Sequence, residues 1–194
     1  MSLPRELRER LRQRDRAALE SFYEAYFDRV YGYVRRMLGD DAQAEDVTQE
    51  VFLNIQRSVD GYDPARPLSP WVFTIATNQV RDHWRAQRRV DPLDGARLDE
   101  EDARPDPPAR EAGPLPALEA AELARTLAAA IEELPESLRT TLVLRTQEGL
   151  SFEEIAQLVS RNETAVRKRY SRALEQLRER LTRRSAGIVE GGLA

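Results

Sequence analysis

Between residues 91 and 116 the chain carries six prolines (Pro92, Pro105, Pro107, Pro108, Pro114 and Pro116) among acidic and small residues. Proline has no backbone N–H and clashes with the turn before it, so no helix runs through such a stretch. The stretch also holds too few apolar side chains to bury itself. It therefore splits the 194 residues into two helical parts joined by a tether. On both sides apolar residues recur at steps of three and four, and nowhere do they alternate with period two. The expectation is an all-α protein of two small helical domains joined by a flexible, acidic, Pro-rich linker.

In the first part Asp15 reads as the cap of a helix whose apolar face includes Leu19, Phe22, Tyr26, Val30, Val34 and Met37, and which stops at Gly39. A second helix, from about Asp41 to Ser58, turns Ala44, Val47, Val51 and Ile55 inward. Ser69-Pro70 reads as a cap followed by proline at the first helical position, opening a third helix through about Arg89. Beyond the linker, Ala117–Leu134 reads as a helix, and Pro135 starts another that ends at Gly149. Ser151-Phe-Glu-Glu154 is a capping box opening a short helix to Val159, followed by a turn and a last helix over about Glu163–Arg183. The implied division is a basic N-terminal segment (1–14), a first domain (15–90), the linker (91–116), a second domain (117–184) and a flexible tail (185–194).

Composition removes whole classes of function. There is no Cys and only one His (His83), so disulfides, thiolate nucleophiles, cysteine metal sites and multi-histidine sites are excluded. Neither a phosphate loop nor a Gly-x-Ser-x-Gly nucleophile elbow is present; the chain is expected not to be an enzyme and to use no cofactor or metal. No run approaches the ~20 apolar residues of a membrane span, and the start is unlike a signal peptide, so membrane insertion is not expected and the cytoplasm is. A formal net charge of −4 conceals segregation: residues 91–122 hold ten acids and three arginines, whereas residues 161–184 hold nine bases and three acids. Basic regions flanking an acidic tether suit a polyanionic partner.

Three segments carry chemistry. In the last two helices, an apolar set including Ile155, Leu158, Val166, Tyr170 and Ala173 around a three-residue turn has the pattern of a helix-turn-helix. The outer side of the second helix and its turn presents Arg161, Asn162, Thr164, Arg167, Lys168, Ser171 and Arg172, types that read guanine edges and hold phosphates in a major groove. A solvated face on a bundle helix is the plainer alternative. On the helix at 41–58, Asp46, Gln49, Glu50, Leu53 and Arg57 share the face opposite the buried one; it is either a solvated polar face or a protein-docking surface. The third helix lines Trp71, Thr74, Asn78, Arg81 and Arg85 along one side, continuing into Arg88. Rings interleaved with bases suit unpaired DNA, where stacking contributes about 1–3 kcal/mol per base; the alternative is that Trp71 and Phe73 are core aromatics.

Taken in order, Asp46-Val-Thr-Gln-Glu-Val-Phe52, then Trp71 to Arg85, then Leu134-Pro-Glu136 through Gly149-Leu-Ser-Phe-Glu-Glu-Ile-Ala156 to Arg172-Ala173 resemble bacterial RNA polymerase sigma factors of the short extracytoplasmic-function group. The resemblance implies that Asp46, Gln49 and Glu50, with Leu53 and Arg57 alongside, dock on the clamp of core RNA polymerase. It implies that the loop Asp60–Ser69 with Trp71, Asn78, Arg81 and Arg85 opens and reads the promoter −10 element, and that the helix-turn-helix reads the −35 element. An anti-sigma protein is the further partner it suggests. Three positions depart from the family's usual pattern: Thr77 stands where Arg is common, Arg161 replaces an apolar turn residue, and Thr164 replaces a frequent Gly. A conventional DNA-binding regulator is the competing reading, and it predicts tight binding of free duplex by the protein alone.

Overall fold

The computed structural model describes residues 3–90 and 116–191, and all of its regular elements are helices: α1 (Arg5–Arg12), α2 (Arg16–Leu38), α3 (Asp41–Ser58), a single 3-10 turn (Val59–Gly61), α4 (Leu68–Val90), α5 (Pro116–Glu132), α6 (Glu136–Thr146), α7 (Phe152–Leu158) and α8 (Glu163–Gly191). The stretch read as linker lies outside the described residues up to position 115, as do the side chains of 116–122.

Helix ends in the first unit are set by short side-chain bonds. The Asp15 carboxylate accepts from the Ala18 N–H at 3.0 Å and that of Asp40 from the Gln43 N–H at 2.8 Å, each satisfying a donor that the first turn leaves free. The first of these bonds holds the Asp15 carboxyl below the usual carboxylate range. Between α2 and α3 the chain turns at Gly39, whose φ of 71° is open to glycine and costly for other residues.

Helix α2 is the centre of the molecule, packing on α1, α3 and α4 of its own unit and on α5 and α6 of the second. It buries Phe22, Tyr26, Val30, Tyr33, Val34 and Met37, and full burial of such a side chain stabilises by at most about 1.5–3 kcal/mol. The two buried tyrosines keep hydroxyl partners: Tyr26 shares a 2.9 Å bond with Ser69, and Tyr33 a 2.8 Å bond with Thr77.

Four features differ from the sequence reading. The described part of the N-terminal segment, residues 3–14, does not stand apart: α1 carries Leu11 into the core, while Arg14 pairs with Asp60 at 2.8 Å. Ser69 is no cap, because α4 begins at the buried Leu68 and the Ser69 hydroxyl is bonded to Tyr26 instead; Pro70 is tolerated within the first turn, where no N–H is needed. Helix α6 ends at Thr146, before Gly149: the Leu150 N–H returns to the Leu144 carbonyl at 3.1 Å and Gly149 takes φ 69°. Finally, α8 continues to Gly191 through the stretch read as a tail, since no proline interrupts it.

Buried residues of the two units form one connected cluster. Arg139 of α6, only 8% exposed, is the polar joint. Its guanidinium donates to Met37 O at 2.8 Å and Arg36 O at 3.3 Å, at the end of α2, and to Leu134 O at 3.1 Å and Glu132 O, at the end of α5. One cation thereby satisfies carbonyls at two helix C-termini, where partial negative charge gathers. A second joint is Arg29, which pairs with Glu148 at 2.8 Å and lies over the Tyr26 ring at 4.7 Å.

Candidate nucleic-acid interface

The polar stripe on α3 faces solvent along its whole length: Asp46, Gln49, Glu50, Leu53 and Arg57 are all exposed, opposite the buried Ala44, Val47, Val51 and Ile55. Leu53 is 43% exposed in the middle of this polar run. Arg57 has a partner within the stripe's own helix, Asn54 at 3.3 Å. Alongside, Tyr23 is 49% exposed; it stacks on Phe27 with centroids 4.9 Å apart and meets Phe52 at a tilt with centroids 5.0 Å apart. Leu19, Phe22, Phe52 and Ile55 join it around an open groove of about 320 Å³ between α2 and α3. Apolar surface bordered by charge is what a protein interface offers.

The outer side of α4 is less uniform. Asn78 and Arg85 are exposed, whereas Trp71, Thr74 and Arg81 are half-buried. The Trp71 ring lies 5.0 Å from Tyr62, Thr74 donates to the Pro70 carbonyl at 2.7 Å, and Arg85 pairs with Asp82 at 3.1 Å. Phe73 is core, edge-on to Tyr33 at 5.5 Å, which separates the two aromatics that spacing left together. Burial pushes the Tyr33 phenol up to about 12, so it stays a neutral hydrogen-bonding group beneath this helix. The side chain of Arg88 lies outside the described residues. The loop before α4 is tied down from α1: Arg8 and the Tyr62 hydroxyl both donate to Arg66 O, at 2.5 and 2.6 Å.

In the helix-turn-helix the capping box forms on both sides: the Ser151 hydroxyl accepts from the Glu154 N–H at 3.1 Å, and the Glu154 carboxylate accepts from the Ser151 N–H at 2.7 Å. Ser160 turns the chain with φ 54°. Asn162 caps α8, its Oδ1 accepting from the Ala165 N–H at 2.8 Å, so this side chain's acceptor is committed to the helix. Arg161, Thr164, Arg167, Lys168, Ser171 and Arg172 are exposed together, opposite the buried Val166 and Ala173. Arg167 donates to Glu163 at 2.8 Å and Ser171 to the Arg167 carbonyl at 3.1 Å. Two residues that no spacing singled out sit against this surface: Phe152, and Arg145 at the end of α6. They meet α8 only in three dimensions, so periodicity carried no signal for them. Among the described residues no group of three or more His, Cys, Asp or Glu side chains gathers to hold a metal, and no helix is long and apolar enough to cross a membrane.

Comparison with known proteins agrees with this geometry. Residues 22–90 match the Sigma-70 region 2 family and residues 124–177 match Sigma-70, region 4. The chain is 38% identical over 173 residues to RNA polymerase sigma factor CarQ of Myxococcus xanthus, covering 89% of this chain and 94% of that one. To ECF RNA polymerase sigma factor SigW of Bacillus subtilis it is 32% identical over 169 residues, covering 86% and 90%. Among solved structures, CnrH in complex with the cytosolic domain of CnrY superposes with a TM-score of 0.66 at 23% identity over 92% of this chain and 96% of that one. Sigma factor RpoE in complex with the anti-sigma factor NepR, from Bartonella quintana, superposes with 0.64 at 21% identity over 84% and 96%. At those identities the likeness establishes the fold. With α2–α4 answering to region 2, α5–α8 to region 4 and close relatives along nearly its full length, the chain belongs to the RNA polymerase sigma factors of the extracytoplasmic-function group.

Proposed function

We propose that this sigma factor engages core RNA polymerase through the exposed stripe Asp46, Gln49, Glu50, Leu53 and Arg57. In the same proposal it captures unpaired −10 bases on Trp71, Asn78, Arg81 and Arg85, and reads the −35 duplex with Arg161, Thr164, Arg167, Lys168, Ser171 and Arg172. The observation that carries the reading is the unbroken exposure of the α3 stripe, with an apolar residue at its centre and, among the described residues, no charged partner from another helix. Each unit alone is too small to hold a promoter tightly, and tethering both to one polymerase raises the effective concentration of the second contact. Base capture drives melting without nucleotide hydrolysis. Control by an anti-sigma protein belongs to the same reading, and so does a cytoplasmic site of action. Both rest on the solved complexes of proteins with this fold and on the exposed apolar pair Tyr23 and Leu53.

The test is run-off transcription with purified bacterial core polymerase, this protein and a genomic fragment library. Defined start sites should depend on the protein and fade with Asp46→Ala/Glu50→Ala. Retention of duplex fragments by the protein alone, with no transcripts, would mean an ordinary regulator.

A further inference from the structure

We propose that Arg8 and Arg14 of the N-terminal segment are positioning residues for −10 recognition: they hold the loop at 60–67 in the shape that receives an unpaired base. The proposal rests on the assignment of α4 and the loop before it to the −10 element. Backbone hydrogen bonds alone do little for this loop. The Tyr62 N–H reaches the Val59 carbonyl at 3.1 Å and the Arg66 N–H the Asp63 carbonyl at 3.0 Å. Side chains supply the other ties. The Asp63 carboxylate accepts from the Ala65 N–H at 2.9 Å, and the Arg66 carbonyl from the Tyr62 hydroxyl at 2.6 Å and from Arg8 at 2.5 Å. Nε and Nη2 of Arg14 donate to the two carboxylate oxygens of Asp60, at 3.0 and 2.8 Å. Tyr62 is buried, with its ring 5.0 Å from that of Trp71, so the loop also sets the position of the ring on which a base would stack.

Two observations separate these arginines from ordinary surface charges. Their neighbours pair within the same segment, Arg5 with Glu9 and Arg10 with Asp15, whereas Arg8 and Arg14 reach partners 58 and 46 positions along the chain. Arg14 also holds φ 58°, a left-handed conformation that is costly for a residue with a Cβ and open to glycine. Turning the chain at that point needs only backbone; the side chain adds a planar fork matched to a carboxylate. Both members of the Arg14–Asp60 pair are more than half exposed, where an ion pair contributes little to stability. Its contribution is geometric: α1, anchored by the buried Leu11, becomes a strut for the start of the loop. A loop fixed beforehand loses less conformational freedom when a base enters, and it cannot reshape itself around the wrong one.

The experiment uses holoenzyme and promoters located by the run-off assay, with the −10 segment randomised and the −35 segment kept. Arg14→Gln and Asp60→Asn should each lower the preference at one and the same −10 position by about five-fold. Selectivity at −35, affinity for core polymerase and melting temperature should stay unchanged. The double variant should lose no more than either single one, since both break the same contact; additive losses overturn the proposal. Arg8→Gln should act at the same −10 position, and for Arg8 the proposal is overturned if that variant keeps the native preference while Arg14→Gln loses it. A direct phosphate contact by Arg14 gives a different pattern: Arg14→Gln weakens all sequences alike and lowers the salt slope by about one, while Asp60→Asn strengthens binding. That pattern overturns the proposal. So does a native −10 profile in both single variants while Trp71→Ala flattens it. Should Trp71→Ala also leave the profile unchanged, the −10 assignment itself fails, and the proposal with it.

Discussion

Ser160 occupies the left-handed region at φ 54°, immediately after the helix that carries the capping box. An L-residue with a Cβ pays roughly 1–2 kcal/mol there, whereas glycine pays mainly in chain entropy. The expected result for Ser160→Gly is a gain of about 0.5–1 kcal/mol in urea or thermal unfolding, with promoter selectivity unchanged. The turn itself was legible in the sequence. Its backbone conformation was not, because serine is compatible with many turns and only the packing of α7 on α8 demands this one.

At the scale of elements, most helix limits were readable because caps act over three or four residues: Asp15, Gly39, Ser151 and Glu154 do what their spacing implies. Ser69 misled because its hydroxyl is taken by Tyr26, 43 residues away, a bond that no local pattern reveals. Arg139 is the sharper case. Nothing in its local spacing marks it out, yet it holds carbonyls at the C-terminal ends of α2 and α5. Arg139→Met keeps the volume but leaves those buried acceptors without donors, and is expected to cost about 2–4 kcal/mol in chemical unfolding. Arg139→Lys should recover only part of this, since a point charge cannot span two helix ends.

For the whole molecule, the contact between the two units turns on Glu148, whose side chain is 6% exposed beside Arg29. Burial raises its pKa above the usual carboxylate value, and the Arg29 charge only partly opposes this. The folded state therefore holds this proton more tightly than the unfolded chain. The contribution of Glu148 to stability is fullest below its unfolded pKa and is lost as pH rises through the higher folded one. Across about pH 4 to 7, wild type should lose stability relative to Glu148→Gln; paired urea melts check this, and a flat difference would show that the carboxyl is effectively solvated.

The sequence by itself determined the all-helical class, the division at the proline tract and the exposed faces of α3 and α8, because periodicity, caps and prolines act through the nearest few residues. The order of those faces was enough to suggest the family. Only the tertiary structure decided that α1 joins the first core, that the two units share one apolar cluster, and that Arg145 and Arg167 meet on Phe152. Such contacts join residues far apart in the chain, and their free energy depends on where whole helices come to rest, which no local spacing specifies.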